Sequence, residues 1–200
     1  MAKRAAPEVN AGSMADIAFL LLIFFLVTTT IEKDSGINRK LPPIEESDED
    51  VIIKQKNIFT VLLNKNDQML VEDELMDVKD LRAAAVAFLD NGGDGSCDFC
   101  KGKRDASSSD NPTKAIISLK NDRETKYATY ITVQNELVGA YNALRNREAQ
   151  RLYNRDFVDM ESEYLNPETP SSVRAELKDK VKRIQELFPQ KLSEAETSSN

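Results

Sequence analysis

Ser13-Met14-Ala15-Asp16-Ile17-Ala18-Phe19-Leu20-Leu21-Leu22-Ile23-Phe24-Phe25-Leu26-Val27-Thr28-Thr29-Thr30-Ile31 decides how this chain is built. From Ile17 to Ile31 no residue is charged, and only Thr28, Thr29 and Thr30 are not apolar. Read back through the small, weakly polar run from Asn10, the segment reaches about 20 residues, enough for a helix to cross a ~30 Å hydrocarbon core. One acid, Asp16, lies inside it. A carboxylate at membrane depth costs roughly 2.5–3.5 kcal/mol on insertion scales, so such a group is protonated, paired, or turned toward water within a bundle. A lone acid on a single span therefore points to a proton site that a partner protein completes. Two plainer readings compete. Lys3 and Arg4 before an apolar core could mark a cleaved signal peptide, although the core runs into Thr28-Thr29-Thr30-Ile31-Glu32 with no small-x-small cleavage site. Asp16 could also be no more than the N-cap of the helix at headgroup level.

The chain has 200 residues, enough for one domain plus an anchor. Lys and Arg number 27 against 34 Asp and Glu, a net charge of −7. The span and the tail before it carry two bases, Lys3 and Arg4, and two acids, Glu8 and Asp16, so the acidity belongs to the soluble remainder. An acidic soluble part argues against nucleic acid and against an anionic lipid surface as main partners. The absence of His removes the commonest metal ligand and the commonest general base. Lys3 and Arg4 precede the span, while Glu32 and Asp34 offset Lys33 after it. The positive-inside rule then keeps the N-terminus in the cytoplasm and sends residues from 32 onward outside, which in a bacterium is the periplasm. Cys97 and Cys100 fit an oxidising compartment.

Hydrophobic patterning predicts an α+β fold, arranged as a cytoplasmic tail 1–12, a transmembrane helix 13–31, a linker 32–56, a small α+β domain 57–153 and a helical extension with a tail 154–200. In the linker, Leu41-Pro42-Pro43 favours extended backbone, Glu45-Glu46-Ser47-Asp48-Glu49-Asp50 repels itself, and Val51-Ile52-Ile53 is a short strand candidate. Ile58 to Leu63 reads as a strand, Asn64 to Asp67 as a turn and Gln68 to Val71 as the returning strand. Asp77 caps a helix whose apolar stripe is Val78, Leu81, Ala85, Phe88 and Leu89, and Gly92 and Gly93 stop it. Residues 90–112 read as a loop, and Ala115 to Lys120 as a strand. A long helix from about Lys126 to Tyr153 carries Tyr127, Tyr130, Ile131, Leu137, Val138, Tyr141 and Leu144 on one stripe, its tyrosines in the core. A last helix has Thr169 as N-cap, Pro170 at its first position, and Val173, Leu177, Val181, Ile184 and Phe188 on one face. The tail from Gln190 reads as polar and mobile.

The Cys97-x-x-Cys100 pair sits in a Gly/Ser loop, without the βαβ setting a redox centre needs. It also lacks the second ligand pair of a zinc site. It reads as a local disulfide or a tied loop. Asp90, Asp94, Gly95 and Asp98 resemble a calcium loop, but Gly92 takes a ligand position and Lys101 stands where the bidentate Glu belongs. No nucleophile–base pair and no phosphate loop is visible, so neither an enzyme, a cofactor nor a bound metal is expected.

The segment Met14 to Thr28 resembles the transmembrane helix of the ExbD/TolR family of biopolymer transport proteins, and most resembles ExbD. Leu41-Pro42 after the span and a small α+β domain ending in a long helix are similar as well, over residues 1 to about 150. The resemblance implies a stator subunit of the bacterial inner membrane. It would dimerise, sit inside a ring of polytopic ExbB/TolQ-type proteins, and carry protons on Asp16 down the proton-motive force. Thr28 falls near the other polar position of the family helix. The periplasmic domains would pass motion to a TonB-like protein that opens outer-membrane receptors. A TolR-like role in outer-membrane integrity shares this mechanism, and a tethered binding module with a passive anchor is the alternative of another class. The Cys-bearing loop 90–112 and the extension after Tyr153 depart from the family pattern.

Overall fold

A computed structural model of the chain describes residues 11–28 and 54–196. The chain divides into two units, Met1–Ile44 and Glu45–Asn200. In the first, helix α1 runs over Ala11–Thr28. The second opens with a 3-10 turn, Gln55–Asn57, followed by β1 (Ile58–Leu63), β2 (Met69–Val71), β3 (Glu74–Leu75), α2 (Val78–Leu89), β4 (Ile116–Asn121), α3 (Tyr127–Tyr153), α4 (Phe157–Leu165), α5 (Ser171–Leu187) and β5 (Leu192–Glu196).

The five strands form one mixed sheet in the order β3-β2-β1-β4-β5. The hairpin partners β1–β2 and β2–β3 are antiparallel. β4 lies parallel to β1, with Ile58 opposite Ile116 and Leu63 opposite Asn121. β-branched and aromatic residues with period-2 burial make β1: Phe59, Val61 and Leu63 are buried while Ile58, Thr60 and Leu62 are half-buried. Those three buried residues pack with Ile117 and Leu119 of β4, Leu81, Ala85 and Leu89 of α2, and Leu137 and Tyr141 of α3. The domain is therefore a two-layer α+β fold, as the patterning predicts.

Four local expectations are corrected. The polar tail from Gln190 does not stay free, because Leu192–Glu196 forms β5 parallel to β4, with Ile117 opposite Leu192. The sheet is thus completed by residues far beyond Tyr153. Between α3 and α5 stands α4, whose Phe157 and Met160 join Ala149, Leu177, Val181 and Ile184 in a second apolar cluster. Asn154 in the left-handed conformation (φ 53°) turns the chain from α3 into it, a position Asn tolerates better than most residues. Of the tyrosines on α3 only Tyr141 is fully buried, whereas Tyr127 in the first turn is 76% exposed, its ring 6.4 Å from that of Tyr130. The N-cap of α5 is Pro170 rather than Thr169, whose hydroxyl instead donates to the Glu163 carbonyl at 2.7 Å. The expected strand at Val51-Ile52-Ile53 lies outside the described residues.

Candidate functional site

Asp16 is the first candidate. It lies inside α1, five residues past Ala11, and no acid occupies the first turn. An N-cap stands before the first turn, so the capping role is excluded by position. Downstream of Asp16, Ile17 and the run Phe19 to Phe25 present apolar side chains around the whole circumference, every one exposed by 41–62%. A helix that is apolar all round is stable only when other apolar matter surrounds it. The 18 residues of α1 give about 27 Å at 1.5 Å per residue, a few Å less than a typical hydrocarbon core. Among the described residues no helix is long and apolar enough to cross a membrane. The last residues of the expected span, 29–31, lie outside the described residues, and Thr28 closes α1.

Cys97 and Cys100 are joined in a disulfide with Cα atoms 5.5 Å apart, and both are buried. They fasten one end of a loop that is rigid for further reasons. Asn91, 3% exposed, donates from Nδ2 to the carbonyls of Asp105 and Ser109, both at 2.8 Å, and accepts the Asp105 amide on Oδ1 at 2.9 Å. Gly102 lies against the helix end so closely that a Cβ there would stand 2.5 Å from the Asp90 carbonyl oxygen. Asp110, buried at the far end of the loop, pairs with Lys56 and accepts from Asn57 at 3.3 Å, and its amide donates to Asn57 Oδ1 at 2.8 Å. Its bond to the Lys56 ammonium holds the Asp110 carboxyl below the usual range. The acids that resemble a calcium loop do not converge: Asp94 pairs with Lys114 at 2.8 Å and Asp90 with Arg147 at 2.6 Å. Among the described residues no group of three or more His, Cys, Asp or Glu side chains could hold a metal.

The loop is also locked to α3 and to the end of α5. Arg147 makes a bidentate pair with Asp90 (2.6 and 2.8 Å) and donates to the Phe99 carbonyl at 3.2 Å. The Asp90 bonds make the guanidinium hold its proton more firmly. Phe99, between the cysteines, meets Phe188 edge-on with centroids 5.3 Å apart. Arg145 Nε donates to the Phe188 carbonyl at 2.9 Å, and burial lowers the affinity of that guanidinium for its proton. Nearby Tyr141, whose hydroxyl donates to the Lys191 carbonyl, has its pKa pushed up to about 12 by burial. Sequence reasoning missed Asn91, Arg147 and the fully buried Glu148, because each is defined by partners distant in sequence. Arg147 and Glu148 signal only by polarity on the core-facing side of α3, and Asn91, just past the end of α2, gives no local signal.

The chain thus consists of an apolar helix with one interior acid and, as a separate unit, a two-layer α+β domain. Residues 2–146 match the family described as Biopolymer transport protein ExbD/TolR, and the chain belongs to that family. It is 30% identical over 87 residues to "Biopolymer transport protein exbD2" of Vibrio cholerae serotype O1 (strain ATCC 39315 / El Tor Inaba N16961), a match covering 44% of this chain and 62% of that relative. The family match stops inside α3, just before Arg147. α4, α5 and β5 lie beyond it.

Proposed function

We propose that this chain is an ExbD-like stator subunit of a bacterial inner membrane, and that Asp16 carries its protons. One observation bears the reading: an acid in the interior of a helix in which every residue from Ile17 to Phe25 is apolar. Read from Asn10 to Ile31, the sequence supplies about 20 residues of small or apolar character, the number that a spanning helix needs. Lys3 and Arg4 would keep the N-terminus in the cytoplasm, with the α+β domain periplasmic.

A single span cannot conduct. Its acid needs polar groups or water supplied from a bundle, so a polytopic ExbB/TolQ-type ring would surround a pair of these helices. Away from water the ionised carboxylate is disfavoured against the neutral acid. Asp16 would therefore cross the low-dielectric part of the ring neutral and release its proton only where water or a polar partner waits. A proton gradient then favours one direction of motion. The periplasmic domains would pass that motion to a TonB-like protein, and no covalent catalysis or cofactor enters.

The test is Asp16→Asn in cells that depend on TonB-type uptake. Asn preserves volume and some hydrogen bonding, so the ring protein should still co-purify, while uptake falls to background. Thr28→Val, which removes a hydroxyl from the same helix, should weaken uptake without abolishing it. Near-normal uptake by Asp16→Asn, with normal assembly, would remove the chemical centre of the reading.

A further inference from the structure

Asn91-Gly92 is the only Asn-Gly step in the sequence. Such a step is chemically weak. Glycine has no Cβ to keep its backbone nitrogen away from the carbonyl carbon of the asparagine side chain, so the side-chain amide is readily lost. The fold nevertheless demands glycine here. Gly92 has φ +65°, and a Cβ on it would stand 3.0 Å from Cys100 Cβ and 3.5 Å from Cys100 Sγ. The loop that packs on the disulfide therefore carries a labile step by construction.

The same loop holds the reacting groups apart. For Cγ of the buried Asn91 to reach the Gly92 nitrogen, the side chain must rotate. That breaks all three of its bonds, to the carbonyls of Asp105 and Ser109 and to the Asp105 amide. At the usual net worth of a hydrogen bond, the three together favour the closed side chain by about a hundredfold. The backbone is held as well: the Asn91 carbonyl accepts the Arg104 amide at 3.1 Å and the Asp90 carbonyl accepts the Gly102 amide at 3.0 Å. The Cys97–Cys100 bridge lies between Gly92 and Gly102 in sequence and forms the surface on which Gly92 rests. Without the bridge this stretch has more open conformations available, so the loop opens more often and the side chain is free to turn.

We propose that Asn91 is a deamidation site gated by the disulfide loop: closed and intact while Cys97 and Cys100 are bridged, released when the bridge is reduced. The Gly92 nitrogen gives up its proton and bonds Cγ of Asn91, the bond from Cγ to Nδ2 breaks, and Nδ2 leaves as ammonia. Water opens the resulting succinimide at either carbonyl, giving aspartate or isoaspartate at position 91. Water is the only co-reactant. Neither product closes the loop again. Aspartate turns an acceptor toward the two carbonyl oxygens that Nδ2 served. Isoaspartate lengthens the backbone where Gly102 packs so closely that a Cβ on it would stand 2.6 Å from Asn91 Cα. A passing reduction of the bridge thus leaves a permanent mark on the fold.

The test ages the full chain in detergent, at neutral pH in heavy-oxygen water, so that each event leaves a heavy oxygen at residue 91. Trypsin, used afterwards in ordinary water, cuts after Arg82 and Lys101 and yields a peptide whose only side-chain amide is Asn91. The bridged, folded chain should take up label about a hundredfold more slowly than the same chain unfolded in urea. Dithiothreitol converts the bridge to two thiols and is itself oxidised to a cyclic disulfide. The reduced chain, shown by circular dichroism to be folded, should label at least about tenfold faster than the bridged one. Asp110→Asn keeps the bridge but loses the pairing with Lys56 at the far end of the loop, and should label severalfold faster even if reduction unfolds the domain. After reoxidation, the labelled fraction of the chain should keep a lowered thermal midpoint. Equal rates in the bridged folded chain and the unfolded chain would overturn the proposal. So would unchanged labelling in both the reduced chain and Asp110→Asn, or full recovery of the midpoint in labelled chain.

Discussion

Asn91→Ala probes how the disulfide loop is held. It removes three side-chain hydrogen bonds, two donated to the carbonyls of Asp105 and Ser109 at 2.8 Å and one accepted from the Asp105 amide at 2.9 Å. Neither carbonyl becomes an orphan, because the Gly93 amide also donates to Ser109 at 2.8 Å and the Ser108 amide to Asp105 at 3.2 Å. The cost should then sit near the net value of about 1 kcal/mol per bond, roughly 3 kcal/mol together. For a protein of this size that corresponds to a fall of about 6–12 °C in thermal midpoint. Asn91→Asp is the sharper partner variant. It keeps the acceptor for the Asp105 amide but turns an oxygen toward two carbonyl oxygens, so it should cost at least as much as Ala despite its matching shape. Near-ultraviolet circular dichroism of the full chain in detergent, followed through heating, reads both. A shift under about 2 °C for Ala, or an Asp variant more stable than the Ala variant, would refute the view that this side chain organises the loop.

Three further outcomes follow from the same geometry. Cys97→Ser with Cys100→Ser opens a bridge between residues three apart in sequence, so chain entropy sets the loss at about 2 kcal/mol, while proton-driven uptake should persist; loss of uptake in a stably folded double variant would reassign the loop to function. Gly102→Ala forces a Cβ to within 2.5 Å of the Asp90 carbonyl and should destabilise the domain by about 1–3 kcal/mol or more, checked by urea titration against the wild-type chain. Asp110 titrates below the usual range because it bonds Lys56. Its contribution is complete above the unfolded value of about 3.9 and fades as pH falls through the lower folded value, so Asp110→Asn should flatten the acid limb of the stability curve and leave the shape near neutrality unchanged.

Much of the domain was legible because its patterns are local. Alternating burial marks β1, the stripe from Leu81 to Leu89 marks α2, and the long periodic run marks α3. What stayed hidden depends on contacts across the chain. β5 contains Ser193 and Glu194 where a strand signal wants apolar alternation. Glu194 is instead held by Tyr130 at 2.9 Å and Gln134 at 2.8 Å, both from α3. The β2–β3 turn gives no Asn-Gly signal, because Glu72 and Asp73 themselves adopt positive φ (50° and 68°). α4 was masked by its shortness, nine residues between Asn154 and the Asn166-Pro167 turn. The site divides in the same way. Asp16 and the Cys97–Cys100 pair are visible as anomalies of composition, an acid in an apolar run and two cysteines in a chain that has no others. The hold on Asn91 is not visible, since Asp105 and Ser109 reach it only after the loop has folded.

The central claim is tested most directly by proton flux through the assembled pair of proteins. Full-length chain and its polytopic ring partner would be reconstituted together in liposomes, a pH difference imposed, and internal acidification followed with an entrapped dye. Wild-type complexes should conduct, and complexes carrying Asp16→Asn, shown by co-elution to be fully assembled, should fall to the rate of protein-free liposomes. Asp16→Asn complexes that conduct at the wild-type rate would contradict the account, since no proton would then need to pass through that carboxylate.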